Sequence, residues 1–156
     1  MKIIPAKKED AKQILDLQQR AYQQEARIYN DFSIPPLTQT LEEIRYEFDT
    51  HVFLKAVKEL CIAGSVRASL DGTICHIGRL IVEPVFQGQG IGTRLMVEIE
   101  KQFNDCLRFE LFTGTKSTGN IRLYERLGYQ RFKEEQIHPG LSLVFLEKNN
   151  ASASSG

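Results

Sequence analysis

Leu80-Ile81-Val82-Glu83-Pro84-Val85-Phe86-Gln87-Gly88-Gln89-Gly90-Ile91-Gly92 is the stretch from which the rest of the chain can be read. Leu80, Ile81 and Val82 end an apolar strand, and Pro84 stops it because proline has no N–H to give to a ladder. After a short turn, Gly88, Gly90 and Gly92 lead into a helix whose apolar residues Leu95, Ile99 and Phe103 stand four apart. Without Cβ atoms, such a turn takes positive φ and lets a ligand approach the backbone closely. Successive N–H groups then point outward at a helix N-terminus, where the dipole adds positive potential, which makes a seat for a phosphate or pyrophosphate. Two other anion loops are excluded by residue identity. A Walker A loop ends in Gly-Lys-Ser/Thr, but Gly92 is followed by Thr93-Arg94. A Rossmann fingerprint needs Gly or Ala at position 93 and glycines directly after the strand, and here Glu83 to Gln87 intervene.

Working outward, residues 2–5 read as a strand. A long amphipathic helix follows, with Ala11, Ile14, Leu15, Gln18, Ala21, Tyr22, Glu25, Ala26 and Tyr29 at helical spacing. Pro35-Pro36 predicts an extended loop from Asn30 to Gln39, and Thr40-Leu41-Glu42-Glu43 is a capping box that opens a second helix running to about Asp49. Strands are expected at Val52–Val57, Leu60–Leu70 and Thr73–Val82, the last two joined by the turn pair Asp71-Gly72. Downstream come a strand at Leu107–Thr113, a helix at Ser117–Leu127, and strands at Tyr129–Gln136 and Leu141–Leu146. The order βααβββαβαββ puts antiparallel strands before a βαβ unit. The fold class is therefore α/β of the α+β type, a mixed and mostly antiparallel sheet with helices against it. Residues 1–148 form a single domain, and 149–156 read as a polar tail.

The bulk properties narrow the function classes. With 156 residues, 42% hydrophobic and 26% charged, the chain has the length and make-up of one globular domain. Twenty basic residues balance twenty acidic ones, so the basic excess of a nucleic-acid binder is missing. No apolar run approaches the ~18 residues of a membrane span, and the N-terminus lacks a signal-peptide core. Cys61, Cys75 and Cys106 are odd in number and unpaired in spacing, as in a reduced, cytoplasmic protein. His51, His76 and His138 are scattered, so no metal is implied.

Val82-x-Pro84-x-x-Gln87-Gly88-x-Gly90-x-Gly92 resembles the acetyl-CoA pyrophosphate loop of the GCN5-related N-acetyltransferases, the GNAT superfamily. Asn120-Ile121-Arg122-Leu123-Tyr124-Glu125-Arg126-Leu127-Gly128-Tyr129 resembles the family's second signature, a helix ending in Leu-Tyr-x-x-x-Gly-Phe/Tyr. The resemblance spans residues 1–148 and implies a sheet whose two central strands splay apart. Acetyl-CoA, as co-substrate, would lie in that gap. It would be held by the backbone of Leu80, Ile81 and Val82, with the pyrophosphate on Gln87, Gly88, Gln89, Gly90, Ile91 and Gly92. Tyr124 matches the tyrosine that protonates the departing thiolate, and Asn120 lies one turn earlier on the same helix face. Where relatives carry Asn seven residues before the tyrosine, this chain has Ser117, read as a helix cap with shorter reach toward the cofactor.

The general base is open at this level. The glutamate of many relatives falls on Phe112, and Glu110, two residues earlier on the same strand face, is the first candidate. His76, expected to share a face with Gly78, Leu80 and Val82, is a second. A base acting through ordered water is a third. The resemblance implies direct acetyl transfer from acetyl-CoA to a primary amine of a small molecule or peptide, by a monomer or homodimer. The alternative is a non-catalytic acyl-CoA-binding sensor. Glu25, Tyr29, Asp31 and Phe32 mix carboxylates with aromatics near the expected acceptor side, which suits a cationic amine.

Overall fold

The computed structural model describes residues 1–154. Its elements are β1 (Lys2–Pro5), α1 (Ala11–Tyr29), α2 (Pro35–Thr38), α3 (Leu41–Glu47), β2 (Val52–Lys58), β3 (Cys61–Asp71), β4 (Ile74–Val82), α4 (Ile91–Lys101), β5 (Arg108–Gly114), α5 (Thr118–Arg126), β6 (Gln130–His138), β7 (Leu141–Asn149) and α6 (Ala151–Ser154). The seven strands lie in the order β1-β2-β3-β4-β5-β7-β6. Neighbours are antiparallel except β4 and β5, whose crossover through α4 makes them parallel. The mixed, mostly antiparallel sheet expected from the order of elements is the sheet observed.

Each face of the sheet buries its own apolar layer. On one face Ile91, Leu95, Met96 and Ile99 of α4 pack over Ala56, Ala63, Val66, Ala68, Cys75 and Ile77. The small residues of β3 let the helix come close. At Gly64 a Cβ would sit 2.9 Å from the Ile81 carbonyl oxygen and 3.0 Å from Leu95, so only glycine fits. On the other face Ile14, Leu15 and Leu17 of α1 meet Ile44 of α3, Phe53 and Ile81. Burying each of these large aliphatic side chains contributes ~1.5–3 kcal/mol, and this holds α1 across the middle of the sheet.

Three local expectations need correction. Pro35-Pro36 does not enforce an extended loop. Pro35 starts the one-turn helix α2, where a missing N–H costs nothing because the first N–H groups of a helix have no intrahelical acceptor. The folded chain also continues past Lys148. Asn149 pairs with Arg108, and the buried Asn150 donates its amide to the carbonyls of Asn104 (2.9 Å) and Cys106 (2.7 Å). The third correction lies in β4. Arg67 pairs with Gly78 and Ser65 with Ile81, so Arg79 and Leu80 together face Val66 in a β-bulge, with Arg79 at φ 51. The extra residue shifts the alternation. Leu80 and Val82 join Cys75 and Ile77 on the α4 side and do not share a face with His76.

The splay is present. β4 and β5 pair only at Ile74↔Arg108, Cys75↔Phe109 and His76↔Glu110. From Ile77 onward the β5-facing edge of β4 has no strand partner among the described residues.

Candidate active site

Pro84–Phe86 makes a single tight turn, and Gln87 to Gly90 then run exposed to the start of α4. Gly88 and Gly90 have φ of 82 and 81, and a Cβ at either would meet nothing within 4 Å. The outer side of the turn is therefore uncovered. The first helical bond runs from the Arg94 N–H to the Gly90 carbonyl (3.1 Å), which leaves the N–H groups of Ile91, Gly92 and Thr93 without intrahelical acceptors. Ile91 contributes backbone alone, since its side chain is buried and pins the helix to the sheet. At Gly92 a Cβ would lie 3.5–3.8 Å from Leu123, Leu80 and Val82, so the turn, the end of β4 and α5 converge there. Lys58, at the end of β2, reaches the same turn. Its Nζ donates to Gln89 (2.7 Å) and lies 4.6 Å over the Phe86 ring. No local pattern in the sequence points to Lys58, because only the packing of α4 over β2 and β3 brings it near.

On α5, Tyr124 is buried against Tyr129, the rings edge to face at 6.1 Å. Burial raises its pKa, and the proximity of Tyr22 and Glu25 of α1 raises it further, so the phenol keeps its proton at neutral pH. Asn120 directs its amide to the Thr113 hydroxyl of β5 at 3.4 Å. Ser117 precedes the helix but makes no side-chain cap. Its buried hydroxyl donates to Glu25 and is 2.7 Å from the Tyr29 hydroxyl, which in turn accepts from the Lys116 N–H at 2.9 Å. Tyr29 fits only because residue 114 is glycine: a Cβ there would be 1.9 Å from its hydroxyl oxygen. Thus α1 bridges the opening between β4 and β5 and brings Glu25 to the Tyr124 side.

The other candidate bases meet at the last rung of the β4–β5 ladder. Glu110 is 2.9 Å from the Arg108 guanidinium and 3.8 Å from His76 Nδ1. Phe112, exposed, packs its ring 5.4 Å from Phe145. Of the acidic residues read as an acceptor surface, Asp31 accepts from the backbone and hydroxyl of Ser33 (2.9 and 2.6 Å) and lies 2.8 Å from His138. The Ser33 and His138 hydrogen bonds hold its carboxyl down to about 2. Arg20 is spent on Glu83 at 2.8 Å. Phe32 is exposed.

Among known proteins, the family described as acetyltransferase (GNAT) domain matches residues 17–149. UPF0157 protein YqkA of Bacillus subtilis (strain 168) is 27% identical over 134 residues, covering 85% of this chain, which spans only 38% of that relative. The ribosomal-protein-S18-alanine N-acetyltransferase of Escherichia coli superposes with a TM-score of 0.81 at 14% identity over 96% of this chain and 93% of its own. PaiA N-acetyltransferase from Thermoplasma acidophilum, in complex with coenzyme A, gives 0.77 at 17% over 96% and 99%. YncA, a putative acetyltransferase from Salmonella typhimurium with its cofactor acetyl-CoA, gives 0.77 at 19% over 95% and 92%. At these identities the likeness to solved structures concerns the fold.

Proposed function

Because the chain belongs to the GNAT acetyltransferase family, we propose that it transfers the acetyl group of acetyl-CoA directly to the primary amine of a small acceptor. The observation that carries this reading is the unpaired edge of β4 beside an uncovered glycine turn at the N-terminus of α4. The residues fit the co-substrate. Backbone N–H groups from Gly88 to Gly92, with Lys58 alongside, suit a pyrophosphate. The free edge at Leu80, Ile81 and Val82 suits the pantetheine amides, as an added strand would. Asn120 would meet the co-substrate from the α5 side, while the hydroxyl of the buried Ser117 is already taken by Glu25 and Tyr29.

Acetyl-CoA supplies an activated acyl group, and the chain supplies proton management. Tyr124, neutral at pH 7, donates to the leaving thiolate. Glu25, on the Tyr124 side of the opening, takes the proton of the acceptor amine. Glu110, the first candidate by sequence, is the weaker choice because Arg108 already occupies it. Neither Cys75 nor Cys106 is an activated nucleophile for an acyl-enzyme route: both are buried, and burial pushes the Cys75 thiol up to about 12. A cytoplasmic setting belongs to the same proposal, since all three cysteines are free and no helix of the described residues is long and apolar enough to cross a membrane.

Release of free thiol from acetyl-CoA, screened over a panel of amines, tests the proposal. Amine-dependent release is the expected outcome. Saturable acetyl-CoA binding with no release for any amine would instead favour the acyl-CoA sensor.

A further inference from the structure

Arg79 carries a positive charge into the interior without an anion to meet it. Its Nη1 atom is the one buried side-chain nitrogen or oxygen among the described residues with no hydrogen-bond partner. Such an orphan lowers stability, the more so when charged, and persists where a ligand or function requires it. The groups that act on its guanidinium are the Tyr22 phenol, the Arg67 guanidinium and the Glu47 carboxylate. Glu47 is committed: it pairs with Arg67 and accepts from the Gln39 amide. Tyr22 is neutral because burial raises its pKa, and burial and Arg67 lower that of the adjacent His51. Two guanidiniums therefore face one carboxylate, a surplus of one positive charge.

The carboxylates around the opening do not offset it. Glu83 is paired with Arg20 and Glu110 with Arg108, Asp31 is bonded to Ser33 and His138, and Glu25, bonded to the neutral Ser117 hydroxyl, keeps its charge but makes no ion pair with Arg79. The backbone tells the same story. Arg79 sits in the left-handed region within a strand, a conformation that costs any residue with a Cβ, and the bulge it forms turns it toward α1 just where β4 leaves β5.

We infer that the acceptor amine carries its own carboxylate, and that Arg79 binds that carboxylate at the opening between β4 and β5. This rests on the acetyltransferase reading and names its substrate class: a free amino acid or similar small amino-carboxylate. A guanidinium fork matches a carboxylate in both charge and geometry. Tyr22 lies near enough to feel the charges of both Arg79 and Glu25. A carboxylate at Arg79 then leaves the amine directed toward Glu25 and Tyr124. A free amino acid offers both groups, whereas a peptide N-terminus has an amide where the carboxylate is needed. The preference for cationic amines expected from Glu25 and Asp31 is thereby reversed.

The test uses matched acceptors: an amino acid, its primary amide and its decarboxylated amine. The amide is less basic at nitrogen and the decarboxylated amine more basic, so preference over both cannot come from basicity. In thiol release, wild type should favour the acid by at least about 30-fold in kcat/KM, the scale of losing one partner of a desolvated charge pair. Arg79→Gln should collapse the ratio toward one, mainly through KM, and Arg79→Lys should restore part of it. In parallel, with coenzyme A present, amino acids but not their amides should raise the melting temperature of wild type. Equal or better use of the amides or decarboxylated amines by wild type overturns the inference, as does an unchanged ratio in Arg79→Gln. If Arg79→Gln fails to fold, the wild-type ratio and Arg79→Lys decide. Should no amine release thiol, the acetyltransferase reading fails by itself, and the thermal shift with acids against amides still decides the carboxylate site.

Discussion

Tyr124→Phe separates the chemical role of this residue from its packing role. The ring is 7% exposed and packs edge to face on Tyr129, and phenylalanine keeps that contact. The hydroxyl makes no hydrogen bond within the described residues and, unlike Arg79 Nη1, is not closed off from solvent. Its removal therefore leaves no partner stranded, and stability should change by less than about 1 kcal/mol. At roughly 2–4 °C per kcal/mol for a chain of this size, the melting temperature should move by no more than about 4 °C. Catalysis should respond differently. Loss of a general acid costs on the order of 10²–10⁴ in rate, and water entering at the opening can replace part of it, so kcat should fall about 10- to 1000-fold. That equals about 1.4–4 kcal/mol of activation free energy. Acetyl-CoA affinity should stay within about twofold, since no binding contact is lost. The assay is thiol release at saturating acetyl-CoA and acceptor, read beside a thermal melt. Wild-type kcat in this variant would refute the proton-donor role and leave Tyr124 a packing residue.

Three further outcomes follow from the same geometry. Gly114→Ala places a Cβ 1.9 Å from the Tyr29 hydroxyl oxygen, so Tyr29 must leave Ser117 and Lys116; urea denaturation should show a loss of about 1–3 kcal/mol. Asp31 is held from 3.8 down to about 2 in the folded state, so the stability it contributes is present above pH 3.8 and is lost as pH falls toward about 2; the advantage of wild type over Asp31→Asn in denaturant melts should close across that window and nowhere below it. Glu25→Gln should lower kcat by about 100-fold or more, while Glu110→Gln, whose carboxylate is tied to Arg108, should lower it less than about tenfold; the reverse ranking would return the base to Glu110.

The legible parts of this chain are those written in local residue identity. Pro84, Gly88 and Gly90 announce the turn because few backbones other than a strand end and an uncovered helix N-terminus use them in that order. The capping box at Thr40 and Glu43 forms with both reciprocal bonds, at 3.1 and 2.9 Å. What escaped depends on partners far along the chain. The β4 bulge is invisible because Leu80, Ile81 and Val82 are all apolar, so either phase of the alternation looks acceptable, and only pairing with β3 fixes it. Ser117 looks like a cap until Glu25 and Tyr29, some ninety residues earlier, claim its hydroxyl. The surroundings of the expected acidic acceptor surface escaped for the same reason, since Ser33 and His138 meet Asp31, and Ser117 meets Glu25, only in three dimensions. Arg108, two residues from Glu110 on the same strand face, was within reach of sequence reasoning.

The central claim is that the glycine turn and the splayed strands form one acyl-CoA seat, and calorimetric titration of acetyl-CoA into wild type and Gly90→Asp tests it most directly. At φ 81 Gly90 strains any side chain, but aspartate is among the residues that best tolerate the left-handed region and its Cβ would meet nothing within 4 Å, so the fold is expected to hold while a negative charge is set where the pyrophosphate would lie. Saturable 1:1 binding to wild type and none detectable to Gly90→Asp is the expected result, with unchanged circular dichroism. Equal binding to both proteins, or no binding to wild type, would contradict the claim.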